Sequence, residues 1–252
     1  MYKELFIQAM KSVLQGTDYV QDDCFFYYYR RSIQVVMKIG FEVIWGGADF
    51  RLWGGATSFC EGIEEFPDNW ISIQCYEVNY YSCKQGGPSY SNICESENGA
   101  IKRYGKKQFI EQLDKNIELF RNRQLPDLLS IDSLDSYYNF KVKADAYGHI
   151  AKIPFPGLHS FYLCIQLGKI YEASIIVFQM MAKHDRNIHE IDKILSVRII
   201  EATKDMEYVE DICEYILQLL NANIEKLRIE VERRVDESRR ICDQFFAKFQ
   251  SH

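Results

Sequence analysis

Cysteine and histidine are the residues of this chain best suited to bind metal or attack a substrate, and their spacing argues against both. Cys24, Cys60, Cys75, Cys83, Cys94, Cys164, Cys213 and Cys242 are scattered, with no Cys-x-x-Cys pair. Zinc sites are built from closely spaced ligand pairs, so no metal is expected. His184 and His189 are five residues apart, which does not put them on one helical face as His-Glu-x-x-His would. Asp185, Glu190 and Asp192 lie beside them, but a polar turn between helices explains that cluster. Cys164 follows His159 by five residues; a nucleophilic pair needs hydrogen-bond reach, and core packing is the simpler reading. No Gly-x-Ser-x-Gly elbow is present. The glycine pairs Gly46-Gly47 and Gly54-Gly55 lack phosphate-loop spacing and lie between strand-forming runs instead of before a helix. No catalytic residue and no cofactor is expected.

The elements that would position a site read in two stretches. Leu5, Phe6, Ala9, Met10, Val13 and Leu14 recur at helical spacing, and Gly16 stands just past that helix. From Cys24 the period changes to two. Cys24–Arg30 has strand composition, and Ile33, Val35, Met37 and Ile39 alternate with polar residues. Trp45-Gly46-Gly47-Ala48 recurs as Trp53-Gly54-Gly55-Ala56, which predicts two tight turns of an antiparallel meander. Centring the first on Gly46-Gly47 sets Glu42 opposite Arg51 and Phe41 opposite Leu52, a complementary register. The second turn sets Phe50 opposite Phe59. A further strand is expected over about 69–82. Residues 84–105 contain Gly86-Gly87-Pro88 and Asn98-Gly99 and read as a long mobile loop. Helix returns from Lys106 to Phe120, with Leu125-Pro126-Asp127 expected to break it. Residues 128–140 read as a short helical or turn segment.

Tyr147-Gly148 to Pro156-Gly157 is the clearest linker. The predicted division is therefore an α+β sheet domain, residues 1–150, and a helical segment, residues 151–252, packed against it. The second part reads as helices over 158–183, about 188–203 and 206–249, with Asn221 and Asn223 marking a break. In the last, Arg234 and Ser238 interrupt an apolar seam. Leu167-Gly168-Lys169-Ile170-Tyr171 matches one fragment of a tetratricopeptide repeat, but no second copy follows, and a helical hairpin is the reading kept.

The formal net charge is −6. Phosphate binding needs clustered Lys and Arg. Lys102-Arg103-Tyr104-Gly105-Lys106-Lys107, Arg233-Arg234 and Arg239-Arg240 read as solvated faces, so nucleic acid is not an expected partner. Gln166, Lys169, Glu172 and Gln179 interrupt the longest apolar stretch, 158–182, and no membrane association is expected. Neither a basic leader nor a long apolar segment opens the chain; with the scattered cysteines this predicts reduced thiols and a cytoplasmic protein. Tyrosine-rich strands beside a long loop fit a face for another protein, with Trp53, Tyr76, Tyr80 and Arg103 as candidate binding residues.

The helix Leu5–Leu14, Phe26-Tyr27-Tyr28-Tyr29-Arg30, Ile33-Gln34-Val35-Val36, Phe50-Arg51-Leu52-Trp53-Gly54, Phe109–Phe120 and Leu125-Pro126-Asp127-Leu128 together resemble the bacterial domain of unknown function 4304 family over about residues 1–140. That resemblance implies an α+β fold and transfers no activity. The expectation is a non-catalytic protein-binding or regulatory module of immunity-like or scaffold kind. The alternative is a hydrolase with a site between the sheet and the helical segment.

Overall fold

The computed structural model describes residues 2–44, 49–63, 76–77, 94–95, 101–102, 106–144, 157–183, 185–191, 193–204, 206 and 208–249. The fold is α+β, with an N-terminal helix, an antiparallel sheet and a helical C-terminal part. It forms two compact units. One comprises Met1–Thr57, Trp70–Asp132 and Phe249–His252; the other comprises Ser58–Asn69 and Ser133–Lys248. Each unit is therefore discontinuous along the sequence.

In the first unit, α1 (Tyr2–Val13) buries Phe6 and Met10, and Leu14 just beyond it. Gly16 follows at φ +81°, the left-handed conformation that glycine adopts without steric cost. The sheet runs in the order β1 (Val20–Asp22), β2 (Phe25–Arg30), β3 (Val35–Ile44), β4 (Asp49–Ser58), β5 (Tyr76–Glu77). Phe26 pairs with Ile39 and Tyr28 with Met37. The Phe6 and Phe26 rings meet edge-to-face at 6.0 Å, joining helix to sheet. Buried Lys38 faces Tyr27 across the β2–β3 ladder and sets its ammonium 4.1 Å from the Phe25 ring centroid, a cation–π contact that compensates burial of the charge.

The expected meander is half right. β3 and β4 are hydrogen-bonded neighbours; the Gly46-Gly47 turn lies outside the described residues, as do the side chains of Glu42 and Arg51. At Gly54-Gly55 there is no turn. β4 passes straight through both glycines, and Gly54 pairs with Tyr76 of β5. Both glycines are buried and neither has the positive φ that a primed hairpin turn requires. Residues 76–77 fall within the expected later strand, whose remainder is not described. In the 84–105 stretch, β6 (Cys94–Glu95) pairs antiparallel with β7 (Ile101–Lys102).

The helix expected to stop at Pro126 does not stop. α2 (Lys106–Leu119) runs into a π-helical turn, Phe120–Gln124, and on into α3 (Leu125–Leu129). Proline lacks an N–H and crowds the preceding turn; a π turn re-spaces the hydrogen bonds just before it, so the chain stays helical. α2 packs on α1. Arg30 donates from Nη1 to the Ile131 carbonyl, fixing the end of β2 to the chain just after α3.

The second unit contains α4 (Leu134–Ala144), α5 (Leu158–Gln166), α6 (Ile170–Ala182), α7 (Lys193–Thr203), α8 (Val209–Ala222) and α9 (Ile224–Phe246). The single helix expected over 158–183 is two. Gly168 sits at φ +70°; its N–H reaches the Ile165 carbonyl at 3.1 Å, and the Lys169 N–H reaches Cys164 at 2.8 Å. That pair of bonds is a Schellman cap, which breaks the apolar stretch into two helices that pack on each other. Asn223 separates α8 from α9, its Nδ2 donating to the Leu219 carbonyl at 2.8 Å. α9 buries Leu227, Val231, Val235, Ser238, Cys242, Phe245 and Phe246. Glu230 and Arg234 form an i,i+4 ion pair, and Asp236 pairs with Arg239 three residues on. No helix among the described residues is long and apolar enough to cross a membrane.

Candidate functional site

Titratable and polar side chains of the second unit converge on a six-residue segment, Ser58–Ile63. A 3-10 turn, Phe59–Glu61, begins it, and Gly62 closes that turn at φ +84° with its N–H bonded to the Phe59 carbonyl at 3.0 Å. Phe59 and Cys60 are fully buried, and Glu61 is 4 % exposed. A carboxylate this deep must be paired. Lys141 of α4, itself buried, donates from Nζ to Glu61 Oε1. One helical turn earlier, Tyr137 donates its hydroxyl to Glu61 Oε2 at 2.8 Å. These two residues share a face of α4 because they are four apart.

The backbone of the segment is held as closely as its side chain. His159 on α5 approaches the Glu61 carbonyl through Nδ1 at 2.7 Å. A carbonyl only accepts, so Nδ1 carries the proton there. Ser238 of α9 accepts from the Ile63 N–H at 2.8 Å and donates to the Phe59 carbonyl at 2.9 Å. Arg234, one turn before it, stacks its guanidinium 3.9 Å from the Tyr162 ring centroid. Glycine suits the positive φ at position 62, and a Cβ on Gly62 would stand 3.0 Å from Arg234 Nη1, close enough to press the guanidinium aside by a few tenths of an ångström. Of the two polar interruptions of the α9 seam, Ser238 holds the peptide segment, while Arg234 lies beside it, paired with Glu230 and stacked on Tyr162.

Burial by itself pushes the Glu61 carboxyl up. Lys141 and His159 beside it, and the hydrogen bonds from Lys141 and Tyr137, outweigh burial and hold it below the ordinary carboxylate value. The thiols go the other way. Burial, with Glu61 adjacent, pushes Cys60 up, although Ser58 Oγ lies 3.0 Å from its sulfur. Burial likewise lifts Cys164 to about 12. A thiol becomes nucleophilic as its thiolate, and these environments oppose it. Cys164 and His159 are not an activated pair: the histidine's Nδ1 is on Glu61, and the thiol is in the core.

The candidate binding residues fare differently. Trp53 and Tyr76 lie on neighbouring strands, Trp53 paired with Glu77 and Gly54 with Tyr76; their side chains, and Tyr80 and Arg103 altogether, lie outside the described residues. Cys24, Cys60, Cys164, Cys213 and Cys242 are free thiols. No group of three or more potential ligands that could hold a metal ion occurs among the described residues. In the His184–Asp192 stretch, Asp185 caps the 3-10 turn that follows by accepting from the Asn187 N–H at 3.0 Å.

Glu61, Lys141 and Tyr137 carry no local sequence signature. Their only trace is a single charge inside an apolar run, in Phe59-Cys60-Glu61-Gly62-Ile63 and again in Phe140-Lys141-Val142. No protein-family model matches the chain, and neither does any curated protein or solved structure.

Proposed function

We propose that this chain is a non-catalytic cytoplasmic protein that acts by binding another protein, as a regulatory module of immunity-like or scaffold kind. The observation that carries this reading is the state of its polar cluster. Both Glu61 carboxylate oxygens are engaged, His159 is committed to a main-chain carbonyl, and the adjoining thiols are driven away from thiolate. Catalytic acids, bases and nucleophiles are poised for exchange; here every group is spent on holding a peptide segment. An acidic chain, −6 overall, fits a protein partner better than nucleic acid. Trp53, Tyr76, Tyr80 and Arg103 remain the proposed contact residues. Kinship with the bacterial family resembled by residues 1–140 belongs to the same proposal and adds no activity. No observation among the described residues favours the hydrolase alternative.

The test has two arms. A photo-crosslinker placed at positions 53, 76, 80 and 103 in turn should yield an adduct with the same protein from at least two positions. A panel of carboxylic ester, phosphate ester and peptide substrates should show no turnover that Glu61→Gln abolishes. Turnover lost in that variant would overturn the reading.

A further inference from the structure

The segment Ser58–Ile63 is held in the way that a receptor holds a peptide. It enters the second unit directly from Thr57, the last residue of a stretch that belongs to the first. Three separate helices then read it. α4 reads a side chain, through Lys141 and Tyr137 on the Glu61 carboxylate. α5 and α9 read main chain, through His159 on the Glu61 carbonyl and Ser238 on both Phe59 and Ile63. Main-chain bonds give affinity without sequence preference, and side-chain pockets add specificity.

Each position has its own requirement. Phe59 is fully buried and Ile63 is 4 % exposed, so both ends need apolar side chains. Glu61 meets a buried ammonium and a phenol. Gly62 supplies a left-handed φ that other residues adopt only with strain. Such a slot rejects a ligand lacking the acid, because Lys141 would be left buried without a counter-charge.

We infer that the surface made by α4, α5 and α9 is a recognition slot for a Phe-x-Glu-Gly-Ile turn. The chain's own Phe59–Ile63 fills it in cis, and a partner protein displaying such a turn is bound by displacing it. This rests on the protein-binding reading above and names the chemistry of one contact. Covalent linkage gives the internal segment a high effective concentration, so the slot is closed to weak competitors.

The test uses the full chain with Glu61→Lys, which sets like charges together and expels the segment. A fluorescent peptide of residues 56–63 is titrated into it under reducing conditions, beside the same peptide with Glu61→Gln. The acidic peptide should bind the variant at least about tenfold more tightly than the neutral one, the discrimination given by hydrogen bonds to a charged group. It should also bind the wild-type chain, whose slot is filled, at least about tenfold more weakly than the variant. If Glu61→Lys does not fold, it is refolded with each peptide, and only the acidic one should restore a cooperative thermal transition. Equal binding of the two peptides, or neither binding nor rescue, would overturn the inference. That failure would leave the crosslinking and turnover results untouched, so the two readings are separable.

Discussion

At Glu61 the balance between desolvation and pairing decides the chemistry. Burying an ion pair is costly, and removing one partner is costlier because the other charge stays buried, typically about 3–5 kcal/mol. Glu61→Gln should therefore destabilise the second unit by roughly that amount, whereas Glu61→Gln with Lys141→Met should recover much of the loss. Urea unfolding of the two variants at neutral pH checks the order. The same pair sets an acid dependence. The folded carboxyl titrates below its ordinary value of 4.5, so the unfolded chain takes up the proton more readily. The contribution of Glu61 is complete well above pH 4.5 and is lost as pH falls through the folded pKa. The stability difference between wild type and Glu61→Gln should accordingly be largest at neutral pH and shrink toward zero in acid. A difference that stays constant down to pH 2 would contradict the ionised pairing. Thiol reactivity should follow the same environments. At pH 8, half-buried Cys213 should be labelled by iodoacetamide well before Cys60 or Cys164, both fully buried, as peptide mass mapping would record.

Among the elements, two glycines separate conformational strain from crowding. Gly168 and Gly62 both have positive φ, but a Cβ at Gly168 meets nothing within 4 Å, while one at Gly62 meets Arg234 at 3.0 Å. Gly168→Ala should cost about 1–2 kcal/mol, the left-handed penalty alone. Gly62→Ala should cost at least as much, because it also presses the Arg234 guanidinium aside by a few tenths of an ångström. Comparing the two melting temperatures tests this. Such positions show what a linear reading can reach. The first helix was legible from Leu5 to Gly16 because its period and its stop are local. Gly54-Gly55 was misread because a glycine pair serves a turn and a buried strand equally well, and only the partner strand decides. Pro126 was misread because the π turn that absorbs it has no signature of its own. The site was hidden by distance: Glu61 lies 80 residues from Lys141, and Ser238 is 175 residues from Ile63. Arg234 and Ser238 were visible only as flaws in an apolar seam; Ser238 is explained by a segment no periodicity could bring there, and Arg234 by Glu230 and the Tyr162 ring.

Across the whole molecule, the interleaving of the two units governs what can be cut. The second unit takes Ser58–Asn69 from within the N-terminal part and Ser133–Lys248 from beyond it. A cut at residue 157 leaves Phe59, Cys60, Glu61 and Ile63 attached to the first unit but removes His159, Arg234 and Ser238. Phe59, Cys60 and Ile63, buried in the intact chain, then lose the cover of α5 and α9, Glu61 keeps Lys141 and Tyr137 of α4, and the main-chain groups of Phe59 and Ile63 lose their serine. A second, overlapping piece, residues 133–249, keeps Lys141 on α4 without the carboxylate that neutralises it. Neither piece is self-sufficient, although each holds most of one unit. The expectation is that residues 1–157 alone give a poorly soluble or molten product with an exposed apolar patch, and that residues 133–249 alone melt without a cooperative transition. Adding the peptide of residues 56–63 to 133–249 should restore part of that transition, since a ligand that binds only the folded form stabilises it by mass action. Amide NMR dispersion and thermal unfolding of each fragment supply the readout. If residues 1–157 instead formed a soluble monomer with native-like dispersion and a cooperative melt, the crossing segment would be dispensable to the first unit, and the two would be independent domains.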